Sequence, residues 1–265
     1  MEHQGKYAAV NGINLYYETF GVGKPVILLH GGLGAIEMFA EILPWLRAGR
    51  HIIGVDLQAH GRTADIDRPI SYESMADDIA GLIAHLGFKQ VDIMGYSLGA
   101  GVAVQTAIRH PALVRRLVYI SSAYQRDGWY PEVLEGMAQL GPAIAEAMKP
   151  SPIYELYARV APRPEDWPVL VGKVGDLLRR EYDWSAEVST LNLPVLLIFG
   201  DADSVRLTHA VSFFHLLGGG LVDGGLSGEG MSNAQLAILS GRTHHNILSA
   251  PELEPIIRRF LDTKD

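Results

Sequence analysis

Three short stretches of this chain carry side chains able to do chemistry together: "GYSLG" at 95–99, "FGDAD" at 199–203 and "GRTHHNIL" at 241–248. The first sets Ser97 between glycines two residues to either side, the second offers Asp201 and Asp203, and the third offers His244 and His245. Serine alone is a poor nucleophile. Its hydroxyl proton has to be taken by a base that titrates near neutrality, and that base needs a carboxylate to orient it. A histidine and an acid meet both needs, which points to covalent acyl transfer. Two adjacent histidines also raise the question of a metal site. Neighbouring residues on a strand or loop point apart, and no carboxylate stands beside the pair, so a shared ion is the weaker reading.

Such chemistry requires elements that bring the three stretches to one place. "VDIMG" at 91–95 is a continuous apolar run of the kind expected of a parallel strand covered on both faces, and "AGVAVQTAIRH" at 100–110 reads as a helix. The Gly-x-Ser-x-Gly motif therefore falls on a sharp strand-to-helix turn that exposes the serine Oγ, with the glycines preventing clashes between strand and helix. The strand signature recurs in "PVILL" at 25–29, "HIIGV" at 51–55, "LVYIS" at 117–121 and "VLLIFG" at 195–200. Met75, Ile79, Leu82, Ile83 and Leu86 share one face of an intervening helix. Alternation of this kind predicts an α/β fold, a mostly parallel central sheet with helices on both faces.

Two regions stand outside the alternation. At the start, "KYAAV" and "INLYYETF" flank Asn11 and Gly12, which predicts an antiparallel hairpin with a type I′ turn. From about 125 to 190 no β-rich run occurs, prolines cluster in "APRPEDWP", and Met137, Leu140, Ile144 and Met148 recur at helical spacing. We read an inserted helical cap over 125–190, with the core formed by 1–124 and 191–265. The Gly-rich stretch at 217–233 lacks the Lys-Ser/Thr of a phosphate loop and reads as a surface loop.

Composition narrows the function classes. At 265 residues and 48% hydrophobic content the chain can bury a full core. A formal net charge of -8 with no long basic run argues against a nucleic-acid partner. The chain has no cysteine, which excludes disulfides and Cys-based metal sites. It shows no secretory signal and no apolar segment of the ~18–20 residues that span a bilayer, so we expect a cytoplasmic protein with no membrane partner.

Over nearly its whole length the chain resembles the α/β-hydrolase family. The resemblance rests on "LLHGG", "DLQAHGRT", "GYSLG", "FGDAD" and "GRTH", which follow one another in the family's order. It implies an α/β-hydrolase fold with an inserted helical cap and a triad running nucleophile, acid, histidine: Ser97, Asp203 and His244. The family pattern sets the acid three residues beyond the glycine of "FGDAD", which selects Asp203 and leaves Asp201 to stabilise the turn. Leu207 stands where many relatives carry proline. At the other position used for the acid, "YISSAY", Ser121 and Ser122 stand with no carboxylate before Asp127. The "G-x-T-H" position selects His244 as base, with His245 a neighbour.

The same resemblance implies an oxyanion hole made by the backbone N–H of Leu98 and one from "HGGLG", Gly32 with Leu33 as alternative. His30 braces that loop. Asp56, His60 and Gly61 match a structural "D-x-x-x-H-G" stretch, with Gln58 where many relatives carry Arg, and Arg62 reads as salt-bridged. The implied reaction is two-step hydrolysis of a small to medium hydrophobic ester or lactone, with no metal or organic cofactor. A serine at the elbow separates the chain from haloalkane dehalogenases and epoxide hydrolases, which use aspartate there. A carbon–carbon bond hydrolase, a cofactor-free perhydrolase or haloperoxidase-like enzyme, and a non-catalytic ligand-binding protein are the alternatives. For substrate contact we expect Leu33 and Tyr96 beside the elbow, with Trp129, Tyr130, Met137 and Trp184 from the cap. Tyr154, Tyr157, Trp167 and Met148 are further cap candidates for an apolar pocket.

Overall fold

The apolar runs pair as strands of one sheet in the computed structural model, which describes residues 5–263. The strands are β1 (Gly5–Val10), β2 (Ile13–Phe20), β3 (Lys24–Leu29), β4 (Arg50–Asp56), β5 (Val91–Tyr96), β6 (Val114–Ile120), β7 (Val195–Ala202) and β8 (Ala234–Thr243). Their order is β1-β2-β4-β3-β5-β6-β7-β8; β1 and β2 run antiparallel to their neighbours and the others run parallel. Asn11 and Gly12 both have positive φ, 46° and 81°, as the predicted type I′ turn requires.

The α-helices among the described residues are α1 (Leu43–Leu46), α2 (Tyr72–His85), α3 (Leu98–Arg109), α4 (Pro131–Gln139), α5 (Pro142–Ala145), α6 (Pro152–Val160), α7 (Trp167–Arg179), α8 (Ser185–Val188), α9 (Leu207–Leu216) and α10 (Leu253–Asp262). Side chains of the central strands alternate between two cores. Ile27, Leu29, Ile53, Ile93, Leu117 and Leu197 join the core that also takes in α2, α3 and α9. Val26, Leu28, Ile52, Met94, Val118 and Ile198 join the other, which holds Leu46 of α1 with Ile257 and Phe260 of α10. A one-residue slip of any strand would exchange these sets, so burial on both faces fixes the register. On α2, Ser71 caps the N-terminus through the Ser74 N–H at 3.0 Å, and Met75, Ile79, Leu82 and Ile83 are buried as their spacing predicts.

Between β6 and β7 the described chain is helical, α4 to α8, with only isolated bridges at Gln125–Asp183 and Trp129–Val205. Met137, Leu140, Ile144 and Met148 do not share one helix face, because the chain breaks at Leu140 and Gly141 between α4 and α5. All four are partly buried against the larger core. The Gly-rich 217–233 stretch joins α9 to β8 without helix or strand. The last strand, β8, has no counterpart among the apolar runs named above, and it carries the chain to His244. Among the described residues no helix is long and apolar enough to cross a membrane.

The crossover from β4 over β3 to β5 creates a switch point at the carboxyl ends of β3 and β5, where crevices form in open α/β sheets. Ser97 follows β5 there, and the "HGGLG" loop follows β3.

Candidate active site

Ser97 sits on the turn between β5 and α3 with φ 53° and ψ −121°, outside the ordinary regions for an L-residue. Its N–H donates to the Ile120 carbonyl at 2.9 Å, which pins the turn to β6. The flanking glycines are required by space. A Cβ on Gly95 would lie 2.3 Å from the Gly99 carbonyl oxygen, and one on Gly99 would lie 2.1 Å from that of Leu29. Strand and helix thus meet at backbone contact, and the serine is pushed outward.

His244 immediately follows β8 and reaches Ser97: its Nε2 accepts from the serine Oγ at 3.0 Å, and its Nδ1–H donates to Asp203 Oδ1 at 3.2 Å. Tyr96 Oη donates to the His244 carbonyl at 2.7 Å and its ring lies 5.2 Å from the imidazole, so both the backbone and the ring plane of His244 are held. The Asp203 side chain is fully buried. It accepts from Ser121 Oγ at 2.5 Å, the Gly200 N–H at 3.0 Å and the Val205 N–H at 3.3 Å. Burial alone would raise its pKa; the hydrogen bonds from His244, Ser121 and Gly200 outweigh that and hold the carboxyl below the usual aspartate range. Ser121, standing at the other position used for an acid, therefore hydrogen-bonds Asp203. Asp201 is exposed and accepts from the Gly241 and Arg242 N–H groups at 2.8 and 3.2 Å, tying the end of β7 to the turn before His244.

His245 lies exposed beside His244, with ring centroids 5.4 Å apart and planes at 84°. Among the described residues no group of three or more His, Asp or Glu side chains is arranged to hold a metal ion.

Ser97 and His244 open onto a cleft of about 350 Å³. Its walls include Leu33, Leu98, Trp129, Met137, Val174 and Leu178, and Gly32 borders it beside Leu98. None of the described lining residues is Asp, Glu, Lys or Arg. Trp129 is placed by the loop after Asp203: the Tyr130 N–H donates to the Ser204 carbonyl at 3.2 Å and the Arg206 N–H to that of Gly128 at 2.9 Å.

Of the residues expected to touch substrate, Leu33, Trp129 and Met137 line this cleft, and Tyr96, Tyr130 and Trp184 do not. Tyr96 packs into the core on the opposite face of the sheet, where its hydroxyl is spent on His244. Tyr130 caps the start of α4 with its side chain outward, 37% exposed, because the backbone turns Trp129 inward one residue earlier. Trp184 is buried against Tyr182 and Tyr72, at 4.6 and 5.0 Å. Trp167, Tyr154 and Tyr157 form a separate aromatic cluster, and Met148 packs on the core edge. Aromatic residue type alone does not say which wall a side chain joins.

The loop bearing Gly32 is braced from behind. Buried His30 donates from Nδ1 to the Gly31 carbonyl at 2.8 Å and accepts at Nε2 from the Leu57 N–H at 3.1 Å. Asp56 accepts from the Ile36 and Arg62 N–H groups, both at 2.9 Å, and Arg62 pairs with Asp56 and Glu37.

Burial lowers the pKa of His30, takes His60 down to about 3 and takes His209, which stacks on Tyr124, down to about 4. A histidine whose folded pKa lies below its unfolded value of about 6.5 leaves stability intact above that pH and erodes it as pH falls toward the folded value. Each contributes a slope of up to about 1.4 kcal/mol per pH unit. Urea unfolding is expected to show a loss of about 2 to 4 kcal/mol between pH 6 and pH 5. A flat profile over that interval would contradict the neutral, buried state of these imidazoles.

A family model described as alpha/beta hydrolase fold matches residues 24–218. Among curated proteins, the 2-hydroxymuconate semialdehyde hydrolase of Pseudomonas sp. (strain CF600) is 31% identical over 123 residues, 45% of this chain and 44% of that protein. The chain spans less than half the length of several such relatives. Among solved structures, E-2-(acetamidomethylene)succinate hydrolase superposes with a TM-score of 0.77 at 21% identity, covering 99% of this chain and 100% of that one. Carboxylesterase CesB (YbfK) from Bacillus subtilis superposes with a TM-score of 0.74 at 19% identity, covering 100% and 93%. The sheet order, the serine turn and the family match lead to one assignment: the chain belongs to the α/β-hydrolase fold family.

Proposed function

We propose that this hydrolase-fold protein is a serine esterase or lactonase acting on an uncharged, largely apolar substrate by way of an acyl-enzyme. The observation that carries the reading is the chain of hydrogen bonds Ser97 Oγ, His244 and buried Asp203, opening onto a cleft without charged side chains. In this mechanism His244 takes the Ser97 proton as Oγ attacks the carbonyl carbon, and Asp203 steadies the imidazolium. The oxyanion is held by the N–H groups of Leu98 and Gly32. His244 then protonates the departing alcohol and activates the water that releases the acid. The helical stretch 125–190 acts as a cap, since Trp129, Met137 and Val174 supply one wall of the cleft.

Among the described residues no lysine or arginine lines the cleft, so an ionised, carboxylate-bearing diketone would find no counter-charge there. That favours the ester reading. A fluorophosphonate probe is expected to form one adduct, on Ser97, and none on Ser97→Ala. p-Nitrophenyl esters of neutral acids are expected to be turned over by the wild type and not by that variant. Folded wild-type protein that remains unlabelled would remove the proposal.

A further inference from the structure

Besides Ser97 and His244, the polar side chains lining the cleft are Tyr72, Ser204 and His245. Tyr72 is the unusual one. It is 5% exposed, and no group among the described residues hydrogen-bonds its hydroxyl. Sealed inside protein, such a hydroxyl would cost roughly 1–3 kcal/mol. It is not among the enclosed polar atoms that lack a partner, so the oxygen reaches accessible space, and its residue borders the cleft.

The ring is held without help from the hydroxyl. It meets Trp184 edge-on at 5.0 Å and Tyr182 at 5.7 Å, and it lies so close to α3 that a Cβ on Gly101 would come within 2.4 Å of its Cε1. Gly101 donates its N–H to the Ser97 carbonyl at 3.3 Å, so Tyr72 rests against the first turn after the nucleophile. Burial raises the phenol pKa well above its usual range, which keeps the O–H protonated and available as a donor.

We propose that the Tyr72 hydroxyl recognises an oxygen borne part-way along an otherwise apolar acyl chain, making oxo- or hydroxy-acyl esters and lactones the preferred substrates over plain alkanoyl ones. The inference rests on the serine-hydrolase reading of Ser97. A plain alkyl chain strips the hydroxyl of water and offers nothing in return, whereas a ketone or hydroxyl on the chain restores the bond. Sites with a committed polar group discriminate in this way.

Tyr72→Phe removes the oxygen and keeps the ring against Gly101 and Trp184. The test compares wild type and variant on p-nitrophenyl octanoate and its 3-, 5- and 7-oxo derivatives. For at least one oxo ester, kcat/KM is expected to fall about tenfold more than for octanoate. A uniform change across all four esters would overturn the proposal. Calorimetric titration of Ser97→Ala, with and without Tyr72→Phe, using the matching methyl esters reads recognition without turnover. An oxo preference there that Tyr72→Phe abolishes, in a protein whose wild type neither turns over ester nor takes the probe, keeps the recognition and ends the hydrolase reading. Equal binding of oxo and plain esters to the Tyr72-containing protein ends the recognition proposal alone.

Discussion

His244→Ala is expected to lower kcat on a neutral ester by about 10⁴- to 10⁶-fold, while His245→Ala keeps it within about threefold. The two residues are neighbours in sequence and opposites in geometry. His244 is buried, hydrogen-bonded at both ring nitrogens and held by Tyr96; His245 is exposed, and its ring stands nearly perpendicular to that of His244. Removing the first leaves Ser97 without a proton acceptor, and whatever turnover survives comes from the backbone amides and binding. Burst and steady-state kinetics on p-nitrophenyl butyrate, with circular dichroism to verify folding, provide the measurement. Comparable losses in the two variants would mean that the base has been misassigned.

Gly99→Ala is expected to destabilise the protein by several kcal/mol, about 3–5, and to abolish turnover in what folds. The added methyl would meet the carbonyl oxygens of Leu29 and His30 at 2.1 and 2.5 Å. These are backbone atoms at the end of β3, and they cannot rotate aside. α3 has to retreat, taking the Leu98 N–H and Ser97 with it. The apparent melting temperature is expected to drop by about 10 °C. Gly136→Ala in α4, where a Cβ would meet nothing within 4 Å, is the control and is expected to stabilise by about 0.5–1 kcal/mol. A Gly99→Ala protein as stable and active as wild type would show that strand and helix do not need this contact.

Much of this was legible in the residues. β3, β5, β6 and β7 are buried on both faces, so they read as unbroken apolar runs, and the Gly-x-Ser-x-Gly turn identifies its own flanking elements. β8 escaped because it closes one edge of the sheet. Only Ala234 and Leu239 of its ten residues are buried, and a half-buried edge strand ending in "SGRT" lacks the period that marks a core strand. The shell around Asp203 escaped for another reason. Ser121 lies 82 residues away in sequence and meets the carboxylate only because β6 and β7 are neighbours. For Trp129 and Tyr130, one inward and one outward, the deciding event is an antiparallel bridge to Val205, which no local pattern announces.

The absence of charged side chains among the described residues lining the cleft bears on the last step of the proposed turnover as well as the first. On the proposed ester reading the product acid ionises once formed, with its carboxylate at Ser97, where the Leu98 and Gly32 N–H groups are donors but no lysine or arginine among the described lining residues balances its charge. On that reading the anion is held more weakly than a neutral molecule of similar size. Product inhibition should therefore be weak for the acid and stronger for a neutral alcohol of similar size, so the surroundings of Ser97 favour emptying of the site after each cycle.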